Sequence, residues 1–190
     1  NIIFHLAGEN RTTNDELLVI NNINLTKDIC NILKKNNLKI PILFSSSIHS
    51  ESNTPYGKSK KKSENLLFNL NKENSNPVLI YSLPGVFGKW SKPFYNSVVS
   101  TFCHSIANGL EINIVEPEKI LKLLYIDDLI KHFLFSIKNI AFGFNKAEVN
   151  PQYEISVKDL ANTLLNLKIY RENLSTDRVG EGLIKKLYST

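Results

Sequence analysis

Methionine is absent from all 190 residues, position 1 included, and the first residues run directly into an apolar strand. That opening predicts a chain cut at its N-terminus. Cysteine is scarce: Cys30 and Cys103 stand far apart, with neither a CxxC nor a metal-ligand spacing. This excludes a disulfide scaffold and points to inert thiols in a reducing cytoplasm. No apolar run approaches the roughly 20 residues of a membrane span. Residues 1–7 have neither the basic start nor the small-residue cleavage site of a signal peptide. Neither a membrane partner nor export is expected. Arginine is also rare. The net charge of +5 and pI ≈ 9.1 come almost wholly from lysine, with arginine only at Arg11, Arg171 and Arg178. Specific nucleic-acid readers use arginine with interleaved aromatics, so no nucleic-acid partner is expected. Heavy use of Lys, Asn and Ile is what an AT-rich coding sequence yields, with a modest preference for an anionic small substrate besides. His5 falls in a strand, His104 and His132 in helical segments and His49 in a loop, without metal-ligand spacing. No metal is expected.

What is present is an ordinary soluble composition, 42% hydrophobic and 22% charged, on a chain long enough for one good core. Residues 2–7 form a continuous apolar run closed by Gly8, the pattern of a strand buried on both faces. From Asn14, an N-cap residue, a helical stripe runs to Leu33. Residues 39–44 form a second apolar strand leading into Ser45, Ser46 and Ser47. Pro55 opens a helix to about Asn71, and residues 77–83 form a third strand. The rhythm strand, helix, strand, helix, strand predicts right-handed parallel crossovers and an α/β doubly wound sheet. Further on, residues 95–107 are predicted helical, 112–115 and 121–126 extended, and 127–137 helical with Asp127 or Asp128 as cap. Ser156, with Asp159 three residues on, starts another helix. After Ile169 the pattern fades.

The chemistry-bearing stretch is the serine triplet followed by Tyr56 and, one helical turn later, Lys60. A phenol with an ordinary pKa near 10 is a poor proton-transfer group at neutral pH unless a nearby cation favours its phenolate. Lysine at this spacing is such a cation. A serine hydroxyl at the strand end can polarise a substrate oxygen while Tyr56 gives or takes its proton, and Lys60 can also hold the ribose of a nicotinamide cofactor. The lysines around Lys60 equally suit a solvated helix face, so the placement after the serine-ended strand carries the argument.

In order along the chain, His5-Leu6-Ala7-Gly8, Ser45-Ser46-Ser47, Tyr56-x-x-x-Lys60, Leu83-Pro84-Gly85-Val86-Phe87-Gly88 and Tyr125-Ile126-Asp127-Asp128 resemble the successive signatures of extended short-chain dehydrogenases/reductases, the NAD-dependent epimerase/dehydratase kind. More narrowly, HLAGENR, SSSI, PYGKSK and FGKWSKPFYNSVVSTFCHSIANG are similar to the bacterial capsular-polysaccharide reductases that make precursors of UDP-N-acetyl-L-fucosamine. The likeness runs from Ile2 to about Ile137 and returns thinly at Leu187 to Thr190. It implies a Rossmann-like doubly wound parallel sheet lacking its first strands, with a small C-terminal substrate-binding part. The expected division is 1–90 for the dinucleotide-binding core, 91–170 for the substrate-binding part interleaved with the last core elements, and 171–190 for a weakly specified tail.

The resemblance further implies Ser47 as the catalytic serine, with Ser46 in reserve, beside Tyr56 and Lys60. It implies that Leu6, Ala7 and Gly8 line the cofactor and that Leu83, Pro84 and Val86 pass its nicotinamide end. Asn10, Arg11, Ser47, Lys92 and Asn96 are the candidate substrate contacts, since a nucleotide diphosphate needs cationic and amide donors. Lys89 and Trp90 are read as structural. The chain departs from its relatives at Ser82 and Gly85, where they usually carry Arg and Asn. It has no GxxGxxG phosphate loop and no C-terminal cupin-like domain. Sugar 4,6-dehydratases of this fold place an Asp-Glu pair after the serine; Ile48 and His49 stand here, which disfavours dehydration. The expected activity is NADP- or NAD-dependent reduction of a UDP-linked 4-keto-6-deoxy amino sugar by a cytoplasmic enzyme. A nucleotide-sugar 4-epimerase is the near alternative, and a non-catalytic remnant that keeps the fold is the alternative of another class. Helices of this fold often pair two subunits, which adds a homodimer to the expectations.

Overall fold

The computed structural model describes residues 1–10, 14–175 and 180–190. It divides into two compact units, Asn1–Leu83 with Phe133–Glu148, and Pro84–His132 with Val149–Thr190.

The first unit holds strands β1 (Ile3–His5), β2 (Ile42–Ser47) and β3 (Val78–Leu83), and helices α1 (Asp15–Lys35) and α2 (Pro55–Asn74). Asn14 caps α1 by accepting from the Glu16 and Leu17 amides, and Thr54 caps α2 with Pro55 in the first turn. Both caps satisfy backbone donors that a helix start leaves unpaired. The strands pair in parallel in the order β1-β2-β3-β6, with β6 (Phe144–Ala147) on the far edge. Alternation along the strands sorts side chains between two faces. Ile42, Phe44, Val78 and Ile80 meet Cys30 and Leu33 of α1 and Leu67 and Leu70 of α2. Phe4 and Tyr81 meet Phe133 on the opposite face, at ring separations of 5.7 and 5.0 Å. A parallel sheet covered by helices on both faces is the expected α/β arrangement.

The second unit has a three-stranded sheet, β4 (Gly85–Phe87) parallel to β5 (Ile120–Tyr125) and β7 (Tyr153–Ser156) antiparallel to it. Helices α3 (Val98–Ala107) and α5 (Val157–Glu172) enclose its core with Phe87, Phe102, Leu123, Leu160 and Leu164. Ser156 caps α5 by accepting from the Asp159 amide. Helix α4 (Ile126–Lys138) contributes its residues up to His132 to this unit and those from Phe133 to the other.

Several boundaries differ from expectation. The first strand stops at His5, leaving Leu6, Ala7 and Gly8 exposed. The second takes in the serine triplet, because Ser45, Ser46 and Ser47 pair with Tyr81, Ser82 and Leu83. Helix α3 starts only at Val98, since Ser97 is its cap, and residues 112–115 form no strand. Strand β6 carries no alternation to predict it. The tail contains α6 (Gly182–Tyr188), whose Leu187 enters the core and whose Lys186 bonds Asp128 at 3.0 Å.

His5 is buried, its Nε2 lying 2.9 Å from Thr26 Oγ1. Burial first, and the Lys60 charge second, lower its pKa from 6.5 to about 4. The folded state therefore binds fewer protons than the unfolded one between these values. The corresponding stability is present above about pH 6.5 and is lost as pH falls toward about 4. Urea melts at pH 7 and pH 4.5 are expected to differ by about 2–3 kcal/mol through this group, a difference missing from His5→Gln. An equal acid loss in both proteins would contradict it.

Candidate active site

The three residues that carry the expected chemistry lie in the first unit, where β2 outruns β1. Pairing between those strands ends at His5 and Phe44, whereas β2 stays paired with β3 as far as Ser47 and Leu83. The chain then turns sharply: the Ile48 amide bonds Leu83 O at 3.1 Å and the Ser50 amide bonds Ser47 O at 3.0 Å. Ser47 Oγ accepts from the His49 amide at 3.1 Å, and the Ser47 hydroxyl acts on the Tyr56 phenol to lower its pKa. Ser46, one residue back, points to the helix face and donates to Glu64. Alternation along β2 thus separates the two serines.

Gly57 makes the turn compatible with α2. A Cβ there would lie 2.3 Å from His49 O and 2.9 Å from Ser52 O, both backbone atoms. The loop between Ser47 and Tyr56 rests directly on the first helical turn, which brings hydroxyl and phenol together.

Lys60 follows one turn later and is 5% exposed. Its Nζ donates to the Ser45 carbonyl at 2.7 Å and lies 4.8 Å from the Phe44 ring centre and 5.7 Å from that of Tyr56. Burial lowers its pKa from 10.5 to about 8, partly opposed by the charge of Glu64. Burial raises the Tyr56 pKa, and the Ser47 hydrogen bond partly offsets this. At neutral pH the site therefore holds a protonated phenol beside an ammonium. Such a pair can donate a proton to an oxygen that Ser47 polarises.

The segment after β1 completes this corner. The Glu9 amide donates to Asn22 Oδ1 and Asn22 Nδ2 donates to Glu9 O, each at 2.7 Å. Asn22 Nδ2 also reaches Ser59 Oγ at 3.1 Å, and Ser59 Oγ donates to Tyr56 O at 2.8 Å. A Cβ on Gly8 would lie 3.5 Å from Lys60 Nζ. Exposed backbone at Leu6, Ala7 and Gly8 thus borders a buried ammonium that has N–H groups beyond the one given to Ser45. That donor set at the carboxyl end of a parallel strand suits the diol of a cofactor ribose. Asn22, Thr26, Ser59, Ser63 and Glu64 escaped sequence reading. Their signal was a polar residue repeated at four-residue spacing inside each apolar helix stripe.

The other expected residues are placed as follows. Leu83 is half-buried at the end of β3; Pro84 is buried and Val86 half-buried in the second unit. Asn10 is exposed, and Arg11 lies outside the described residues. Lys92 and Asn96 are exposed on the second unit, with Lys92 Nζ 5.9 Å from the Tyr95 ring centre.

A family model described as the NAD dependent epimerase/dehydratase family matches residues 1–150. The chain belongs to that family. Within it, the chain is 43% identical over 188 residues to the UDP-2-acetamido-2,6-beta-L-arabino-hexul-4-ose reductase of Pseudomonas aeruginosa, covering 99% of this chain and 50% of that protein. The capsular polysaccharide assembling protein CapF of Staphylococcus aureus superposes with a TM-score of 0.83 at 33% identity, over 100% of this chain and 50% of that one. The UDP-glucose 4-epimerase of Thermotoga maritima, with UDP-glucose, shares the fold at TM-score 0.80 and 19% identity, over 89% of this chain and 61% of that one. The chain spans about half the length of the curated relative it matches. These likenesses agree with a Rossmann-like architecture for this epimerase/dehydratase-family chain.

Gly57→Ala is expected to force the 49–52 loop off α2, costing about 1–3 kcal/mol. A thermal melt checks this. An unchanged melting temperature would show that the loop is not held by that close approach.

Proposed function

We propose that this chain carries the catalytic centre of a NADP- or NAD-dependent reductase acting on the 4-keto group of a UDP-linked 6-deoxy amino sugar. The observation that carries the reading is Lys60, buried one turn beyond Tyr56 with its Nζ on the Ser45 carbonyl and 5.7 Å from the Tyr56 ring centre, beside the Ser47 strand end. The 43% identity to the UDP-2-acetamido-2,6-beta-L-arabino-hexul-4-ose reductase of Pseudomonas aeruginosa supports the substrate class.

In this reading Ser47 holds the substrate carbonyl oxygen by a hydrogen bond and Tyr56 delivers a proton to that oxygen. Lys60 stabilises the phenolate left behind and offers its free N–H groups to the cofactor ribose. Leu6, Ala7 and Gly8 form the backbone wall beside it, and Leu83, Pro84 and Val86 are assigned to the nicotinamide end. A bound nicotinamide dinucleotide supplies the hydride. Asn10, Arg11, Lys92 and Asn96 are the residues proposed to contact the nucleotide diphosphate and sugar, by the chemistry of amide and cationic donors. A cytoplasmic site of action is part of this proposal, in keeping with a nucleotide-sugar substrate. Among the described residues no helix is long and apolar enough to cross a membrane.

The test is an assay of the full-length gene product with a UDP-4-keto-6-deoxy-hexosamine and NADPH. Tyr56→Phe is expected to lower kcat by about 10²–10⁴-fold, and undiminished turnover would sink the mechanism. Product formed without consumption of reductant would favour the 4-epimerase, and no turnover with either substrate class the non-catalytic remnant. Because Lys60 titrates at about 8, the rate is expected to fall as pH rises through that value. A pH–rate profile flat to pH 10 would contradict a charged Lys60 in the reacting state.

A further inference from the structure

Glu64 lies on α2 one turn beyond Lys60 and is 3% exposed. A carboxylate this deep needs hydrogen bonds and a counter-ion, because burial strips its hydration. Ser46 Oγ of β2 donates to one oxygen. The other lies 3.7 Å from Nζ of Lys146 on β6, a lysine whose side chain is 55% exposed. An ion pair of that length to a water-washed ammonium is weak. It does not account for the burial.

Lys60 presents the converse problem. Its close partners are the neutral Ser45 carbonyl and the rings of Phe44 and Tyr56, none of which carries a negative charge. Residues four apart on a helix lie on the same face, with Cβ atoms about 5–6 Å apart. Lys60 and Glu64 have that spacing and are both buried; their charged ends make no direct ion pair, so the carboxylate acts on the ammonium through the low-dielectric interior. The remaining charged or titratable groups that face the pair do not substitute. His5 of β1 is held neutral, and Lys61 of α2 is taken by Glu51 at 2.5 Å. Tyr56 is kept as the phenol by burial. Lys146 competes for the carboxylate from its exposed side.

We propose that Glu64 is a positioning residue for the Tyr56–Lys60 centre: its buried carboxylate, held in place by Ser46, is the counter-charge that keeps Lys60 an ammonium inside a dry site. The proposal rests on the proton-transfer reading of that centre for its functional meaning, although not for its electrostatics. It accounts for the buried polar contact that Glu64 of α2 makes with Ser46 of β2. Ser46 gains a role different from that of Ser47. The direction agrees with the balance at Lys60, where burial opposes the charge and Glu64 restores part of it.

The experiment is an NMR titration of the full-length gene product labelled with [ε-13C]lysine, the Lys60 resonance being assigned by its loss in Lys60→Met. In Glu64→Gln, which keeps shape and hydrogen-bonding capacity, the Lys60 midpoint is expected to fall from about 8 by about one pH unit or more. An unmoved midpoint overturns the proposal. Should Glu64→Gln fail to fold, Lys146→Met runs the test in reverse. Removing the competing cation raises the Lys60 midpoint if Glu64 governs it, and a midpoint that stays or falls overturns the proposal. Alongside, the alkaline limb of the pH–rate profile is expected to follow the NMR midpoint. A midpoint that moves under a stationary limb supports the counter-charge and overturns instead the catalytic reading of Lys60.

Discussion

An ammonium group removed from water is the constraint around which the first unit is arranged. Lys60 reaches inward from α2 and ends on the Ser45 carbonyl, with the Phe44 ring beneath and Gly8 alongside. Burial of such a charge is unfavourable unless polar groups replace its hydration. Each neighbouring element contributes to that replacement: β2 a carbonyl, α2 a carboxylate, and the segment after β1 a glycine that leaves room. His5, buried close enough to feel the Lys60 charge, stays neutral for the same reason. A second positive charge in that corner would add repulsion to desolvation.

The polar side chains between α1 and α2 follow from this constraint. Asn22 and Thr26 stand in the buried stripe of α1, and Ser59, Ser63 and Glu64 in that of α2. Leucine at those positions would bury more apolar area. It would not join helix to helix at defined points, as Asn22 to Ser59 and Thr26 to Ser63 do, nor hold the Glu9 backbone beside Lys60. Buried hydrogen bonds contribute only modestly to net stability, yet an unmatched partner is costly. A satisfied polar ladder therefore favours a single helix register. That register sets how far Tyr56 stands from Ser47.

Much of this was legible in the order of residues. The apolar runs at 39–44 and 77–83, the Asn14 and Ser156 caps and Pro55 at a first helical turn are local signals that arise within a few residues of each other. Strand β6, the short β4 and the late helix α6 were not legible. Each is too short to show a period, and each is held by partners distant in sequence, as Phe144 is by Val78 and Leu187 by the core around Leu160. The role of Glu64 was hidden for a related reason. A glutamate four residues after a lysine is ordinary on a solvated helix face, and only the approach of β2 and β6 turns that face inward.

By itself the sequence determined the alternation of strands and helices, the family, and the presence of a serine, a tyrosine and a lysine at spacings suited to proton transfer. These depend on local periodicity, capping and residue type. The tertiary structure decided which serine meets the phenol, that Lys60 is buried and titrates at about 8, and that Glu64 is its buried neighbour. Those depend on which face of β2 each side chain occupies and on how closely α2 lies against it. Strand pairing and the Gly57 contact set both, and the pairing joins stretches that are distant along the chain.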